Sequence, residues 1–379
     1  MAACARKPVA EAKPVALVPS NLNVTVAKSR EADDLARFLA GMPGKPGSPF
    51  LELEQRPEWQ EHASICNRLW AKFENERLPA LQQFAQQELA GLRKNSETVF
   101  YPFGGPDALT VTTFFPQFTR WALVALEPPG TLVSAQTYKT GNLALRLANL
   151  RATLDSLLAR SFFITRQMDY QLRGQVADGV LQDLLVELVR RNYTILGSQY
   201  LTVTPEGELA ERTDPAWMPL KNKGVVLEVE DGSDHSSHQL YFLSVNLADD
   251  KLKQNQAFEK AALSGAKVVT MLKSTSYMLH QDAFSSVRNL ILNHSLAVLQ
   301  DDSGIPYRYF VEQKWTPHFY GEYTAPFSPF QYRAQKDLRE AFERGEGVKP
   351  LNFRIGYGFG RIPSNLTLSL APADSSTEK

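Results

Sequence analysis

Two hydrophobic periods organise the chain. Between residues 59 and 92, Leu81, Phe84, Leu89 and Leu92 fall on one helical stripe with Gln and Glu opposite. Pro79 sits where the start of a helix tolerates it. Leu143, Leu147, Leu150, Leu154, Leu157 and Leu158 repeat at helical spacing, and Val180, Leu181, Leu184, Leu185, Leu188 and Val189 do so again. These stripes predict amphipathic helices that pack against a sheet. Continuous apolar runs at 98–103 and 121–126 predict buried strands, with a turn or short helix at 108–115 between them, an order that favours parallel pairing. A strand at 193–204 follows, and strands at 225–229 and 240–245 around the polar loop 231–238 predict a hairpin. Helix and strand then alternate again at 256–263, 267–272, 284–292 and 296–300.

Alternation of this kind predicts an α/β fold built on a parallel sheet. Pro- and Gly-rich residues 41–49 force a loop after a short helix at 30–40. Beyond residue 305 the chain is rich in aromatics and proline, with one charged helix at 334–344 and a strand-like run at 366–370. The expected organisation is a flexible tether over 1–29, an α/β core over 30–305, an aromatic extension packed on the core over 306–370, and a disordered polar tail over 371–379. Rings such as Tyr307, Tyr309, Phe310, Trp315 and Phe319 can stack on sugars or line an apolar groove, or they can anchor an irregular segment to the core, which is the simpler reading.

Composition narrows the functions. The 379 residues are 43% hydrophobic, enough to bury a substantial core without crosslinks. Lys plus Arg and Asp plus Glu each number 41, so no uniform field attracts a nucleic acid backbone. No apolar stretch reaches the roughly 20 residues of a membrane-crossing helix. With two cysteines, Cys4 and Cys66, and no HExxH pattern among six histidines, no metal motif is present.

The chemistry-bearing residues cluster at predicted strand ends. The first strand runs into Phe103-Gly104-Gly105-Pro106-Asp107, and Glu127 ends the next. Glycines let a ligand approach the backbone, and a carboxylate at the tip of the next strand can accept hydrogen bonds from a ribose. Asp107 also stands where a helix cap is expected, and the cap is the favoured reading. The strand at 267–272 ends in Lys273-Ser274-Thr275-Ser276-Tyr277, and the strand at 296–300 ends in Asp301-Asp302-Ser303-Gly304. Asp301 and Asp302 can act as paired carboxylates or as ordinary turn residues, the turn being favoured. Ser264 and Lys267 match a Ser-x-x-Lys spacing that also arises by chance. This layout resembles class I S-adenosylmethionine-dependent methyltransferases. The resemblance implies a Rossmann-like, three-layer, mostly parallel sheet with helices on both faces, S-adenosylmethionine as cofactor at Gly104 and Gly105, and Glu127 on its ribose. Pro102, Phe103 and Pro106 stand in place of the family's Gly-x-Gly pattern.

The N-terminus, Met1-Ala2-Ala3-Cys4 followed by a Pro/Lys/Ala spacer, resembles the end of a bacterial lipoprotein signal, without its charged and apolar parts. That resemblance implies lipidation of Cys4, attachment to a membrane through the lipid, and location in the cell envelope; an unmodified Cys4 implies a cytoplasmic protein. The leading expectation is therefore a tethered envelope protein with no cofactor, which binds a small or glycan-like ligand at the strand ends through Gly104, Gly105, Asp107, Glu127, Ser274, Asp301 and Asp302. A divergent methyltransferase and a scaffold without a ligand are the alternatives.

Overall fold

The computed structural model describes residues 24–160, 179–203, 209–212, 223–254, 267–324, 326, 328–344, 347–358 and 363–373. Cys4, the expected helix at 256–263 and Ser264 lie outside these residues. Ten strands form one sheet: β1 (Thr98–Pro102), β2 (Arg120–Ala125), β3 (Tyr193–Val203), β4 (Leu209–Arg212), β5 (Lys223–Asp231), β6 (Ser237–Ser244), β7 (Val268–Leu272), β8 (Ser295–Gln300), β9 (Thr316–Gly321) and β10 (Asn365–Leu370). Their order is β4-β3-β5-β6-β2-β1-β7-β8-β10-β9. The central strands β6, β2, β1, β7 and β8 pair in parallel, and antiparallel strands extend the sheet on both sides.

The two-residue period of these strands divides the core into two layers. Val99, Tyr101, Trp121, Leu123, Leu240, Phe242, Val269 and Met271 face one side, where the helices Glu31–Leu39, Pro57–Glu76, Leu143–Arg160 and Leu181–Arg190 cover them. Phe100, Ala122, Val124, Tyr241, Leu243, Val268 and Leu272 face the other, under Val287, Ile291 and Leu292 of the helix Ser285–His294. Near-continuous apolar runs such as Trp121 to Ala125 follow from burial on both faces. The result is a three-layer Rossmann-like α/β fold.

Three boundaries differ from the sequence expectation. Val24 and Val26 are buried in the second layer, and the Ser29 N–H donates to the Leu196 carbonyl (2.8 Å), so the packed chain begins ahead of residue 30. Gly197, at a bulge in β3, lets this segment approach: a Cβ there would run into the Ala27 carbonyl. The expected extension over 306–370 contributes β10 and β9 to the sheet itself, β10 pairing directly with β8. Its aromatics anchor it: Tyr320 joins the first layer, Phe310 and Trp315 the second, and Phe319 meets Phe342 at 4.8 Å. The single long helix expected over 59–92 is broken into Pro57–Glu76, Leu78–Phe84, a π turn Ala85–Leu89 and a 3-10 turn Ala90–Asn95. Pro79, which lacks an N–H, starts the second piece.

Relative to one another the five central strands follow the doubly wound order 3-2-1-4-5. The helix Ala108–Phe114, between β1 and β2, lies in the first layer, whereas the helix Ser285–His294, between β7 and β8, lies in the second. Crossovers that leave on opposite faces part above the β1/β7 pair, and a crevice opens there at the carboxyl ends of the strands.

Candidate functional site

The loops that follow β1, β2, β6 and β7 line this crevice, which holds about 770 Å³ of space with its open mouth included. Phe103, Gly104 and Gly105 come from the first loop, Leu126 and Glu127 from the second, Asn246 and Leu247 from the third, and Lys273, Ser274, Thr275, Ser276 and Met278 from the fourth; Phe284 closes one side. The mix of apolar walls with a few polar groups fits a small organic ligand. Four sequence candidates, Gly104, Gly105, Glu127 and Ser274, meet in this one crevice.

The glycine turn is shaped by its own neighbours. A Cβ on Gly104 would run into the Tyr101 ring, so this glycine lets the turn fold back over a core tyrosine. Phe103 (φ 65°) and Gly105 (φ 65°) are both left-handed, which is costly for Phe103. The Phe103 N–H donates to the Val124 carbonyl (2.8 Å), and its ring meets Phe284 at 5.8 Å, which hold the strained residue in place.

Asp107 lies beneath the crevice instead of lining it, fully buried. Its Oδ1 accepts from the Thr110 N–H (3.1 Å), a helix cap, and its Oδ2 accepts from the Tyr101 hydroxyl (2.7 Å) and from the Lys273 ammonium. Lys273 also donates to Thr110 Oγ1 (2.9 Å). Glu187, from the helix Leu181–Arg190, accepts from the Leu109 N–H (2.6 Å), and its Oε1 has no partner. Burial first, and then the Asp107 charge, raise its carboxyl well above the usual range. The side chains below the crevice thus form a buried polar network joining the ends of β1 and β7.

Asp301 and Asp302 lie on the far side of the loop after β7 and also stay out of the crevice. In that loop Ser274 (φ 53°), Ser276 (φ 54°) and Tyr277 (φ 53°) are all left-handed, at a cost of about 1–3 kcal/mol each unless the surroundings fix them. Asp301 Oδ2 accepts from the Ser274 N–H (2.9 Å), and Ser303 Oγ accepts from the Thr275 N–H (2.9 Å). Asp302 Oδ2 accepts from the Tyr277 hydroxyl (2.5 Å), and the Tyr357 hydroxyl donates to the Ser274 carbonyl (3.0 Å). The turn after β8 is therefore the clamp that holds the β7 loop against the crevice. Burial, and then the adjacent Asp301 charge, push the Asp302 carboxyl up to about 7. Ser274 Oγ is buried without a partner beside Gly356.

Sequence reasoning did not single out Asn246, Met278 or the apolar wall Phe284. Asn246 follows directly on the expected strand at 240–245, so the available signal was its place at a strand end. That signal gains meaning only once β6 is known to pair in parallel with β2. Among the described residues no group of three His, Cys, Asp or Glu side chains is placed to hold a metal ion, and no helix is long and apolar enough to cross a membrane. Compared with known protein families and with curated proteins, the chain matches none.

Proposed function

We propose that the chain binds a small ligand bearing vicinal hydroxyls, of nucleoside type, in the crevice between β1 and β7, with S-adenosylmethionine as the ligand to test first. One observation carries the reading: Gly104, Gly105, Glu127 and Ser274 line a single crevice at the switch point of strands ordered 3-2-1-4-5. In such a sheet an acid at the end of the second strand is placed to accept from ribose hydroxyls, and Glu127, two residues past β2, has that place. Phe103, Leu247, Met278 and Phe284 offer apolar surface for a flat ring, and the Asn246 amide offers a donor and an acceptor. Calorimetric titration with S-adenosylmethionine tests it. Saturable binding weakened at least about tenfold by Glu127→Ala, the worth of one or two hydrogen bonds, supports the reading; no heat, or equal affinity in the variant, removes it. If the ligand is S-adenosylmethionine, a divergent methyltransferase is the activity that follows.

A second reading keeps the crevice and changes the compartment. In it, Cys4 carries a lipid, the Pro/Lys/Ala spacer links it to the packed chain at Val24, and the crevice takes a glycan-like ligand in the cell envelope. Ala2-Ala3-Cys4 favours this reading. S-adenosylmethionine is a cytosolic metabolite, so the two readings exclude each other.

A further inference from the structure

Behind the turn that joins β7 to its following helix, Arg288 and Arg308 share the Tyr309 ring, and their charges and that of Arg333 reach His280. Arg288, on the helix Ser285–His294, is only 5% exposed. Its guanidinium donates to the carbonyls of Leu279 (2.7 Å) and Gln281 (3.2 Å), the residues on either side of His280, and lies 4.5 Å from the centre of the Tyr309 ring. Arg308 stands 4.9 Å from the same ring and donates to its hydroxyl (3.3 Å). Arg333 ends the short helix Ser328–Arg333, whose Phe330 ring lies 4.9 Å from Tyr277; Tyr277 in turn contacts His280 at 5.1 Å. Three nitrogens here, Arg288 Nε, Arg333 Nε and His280 Nε2, are shut from solvent and have no hydrogen-bond partner.

No ion pair engages any of the three arginines among the described residues. Asp337 and Glu312 act on Arg308 only from a distance, and the Asp302 carboxylate is taken by Tyr277 and Asn365. Burial, followed by the charges of Arg333, Arg308 and Arg288, pulls the His280 imidazole down to about 4, against an opposing hydrogen bond to the Asp302 backbone, so the ring is neutral. Like charges gathered around a buried guanidinium are costly unless an anion meets them.

We propose that Arg288, Arg308 and Arg333 form a binding site for a small oxyanion, a carboxylate or phosphate group, with Arg288 at the base and the half-buried Arg333 and exposed Arg308 at the rim. The planar guanidinium fork suits the two oxygens of such a group. Met278 and Phe284 line the crevice, and the turn between them carries Arg288's carbonyl partners, so the site lies behind the crevice wall and stands independently of what the crevice binds.

The test titrates inorganic phosphate and, separately, acetate into the full chain at constant ionic strength, with thermal melting as the readout. A saturable rise in Tm with phosphate or with acetate, beyond that with chloride, is expected and shows which oxyanion the site prefers. Arg308→Gln and Arg333→Gln, changes at the rim, should weaken the effect at least tenfold and, by removing a like charge, should raise or keep the unliganded melt of the parent chain. Arg288→Lys keeps the charge but loses the fork and should weaken it as well. Neither anion acting beyond chloride, or an effect unchanged in both rim variants, overturns the proposal. Binding at the crevice is read separately, with S-adenosylmethionine, so the failure of one leaves the other testable.

Discussion

Lys273, which follows β7, and Asp107, in the turn after β1, form an ion pair with both side chains shut from water. The pair joins the two loops that part at the switch point, directly below the crevice. Tyr101 and Thr110 complete it, so each charge has hydrogen-bonding neighbours as well as its opposite. Such a pair is worth little against an apolar substitute of the same shape, but removing one member strands the other.

Lys273→Met and Asp107→Asn should accordingly each destabilise the fold by about 3–5 kcal/mol, and Lys273→Met combined with Asp107→Asn should cost less than the sum. Urea denaturation of the singles and the double measures this coupling. Additive losses would show that the two residues stabilise the chain separately.

The buried carboxyls make stability depend on pH in a stated direction. Burial raises Asp183 to about 7, and burial with the Asp301 charge raises Asp302 to about 7, whereas an unfolded Asp titrates near about 3.9. A group with a raised folded pKa gives its full stabilisation below about pH 4 and loses it as pH rises through about 7. His62 and His280, both lowered to about 4 chiefly by burial, act oppositely: their contribution is gained between about 4 and 6.5. The clean observable is a difference. Asp183→Asn and Asp302→Asn should each gain stability relative to the parent chain as pH is raised from 4 to about 8, followed by denaturation at several pH values. A difference that is flat with pH would place both carboxyls in ordinary solvation.

The compartment has its own measurement. The tethered reading expects mass spectrometry of the native gene product to find a lipid on Cys4, and the nucleoside reading expects Cys4 without one.

The fold was legible where the hydrophobic period was strong. Val99 to Tyr101 and Trp121 to Val124 are apolar on both faces, and that is the signature of strands covered on both sides. The strand ends carrying Gly104, Glu127 and Ser274 were legible for the same reason. Pairing was less so. The polar loop 231–238 announced that β6 pairs with β5, but nothing local in residues 240–245 says that β6 also pairs with β2, and Asn246 was missed with it. Residues 316–321 and 365–370 are short and separated by irregular chain, so their joining the sheet depends on long-range contacts such as Leu368 against Leu299. Asp301 and Asp302 form the turn that the sequence favoured, with the Ser303 N–H donating to Asp301 Oδ1, but their hold on the β7 loop was hidden. The Asp-Asp-Ser-Gly turn shows its chemistry only beside Ser274 and Tyr277, which the sheet brings to it.

The crevice itself can be tested through Met278, which lines it, one of six methionines in the chain. With methyl-labelled methionine, and the Met278 resonance assigned by Met278→Leu, S-adenosylmethionine is titrated into the full chain. A saturable shift of Met278, with core Met271 unmoved and the response lost in Glu127→Ala, is the predicted result. An unmoved Met278 at millimolar ligand would contradict the claim that this crevice is the nucleoside site.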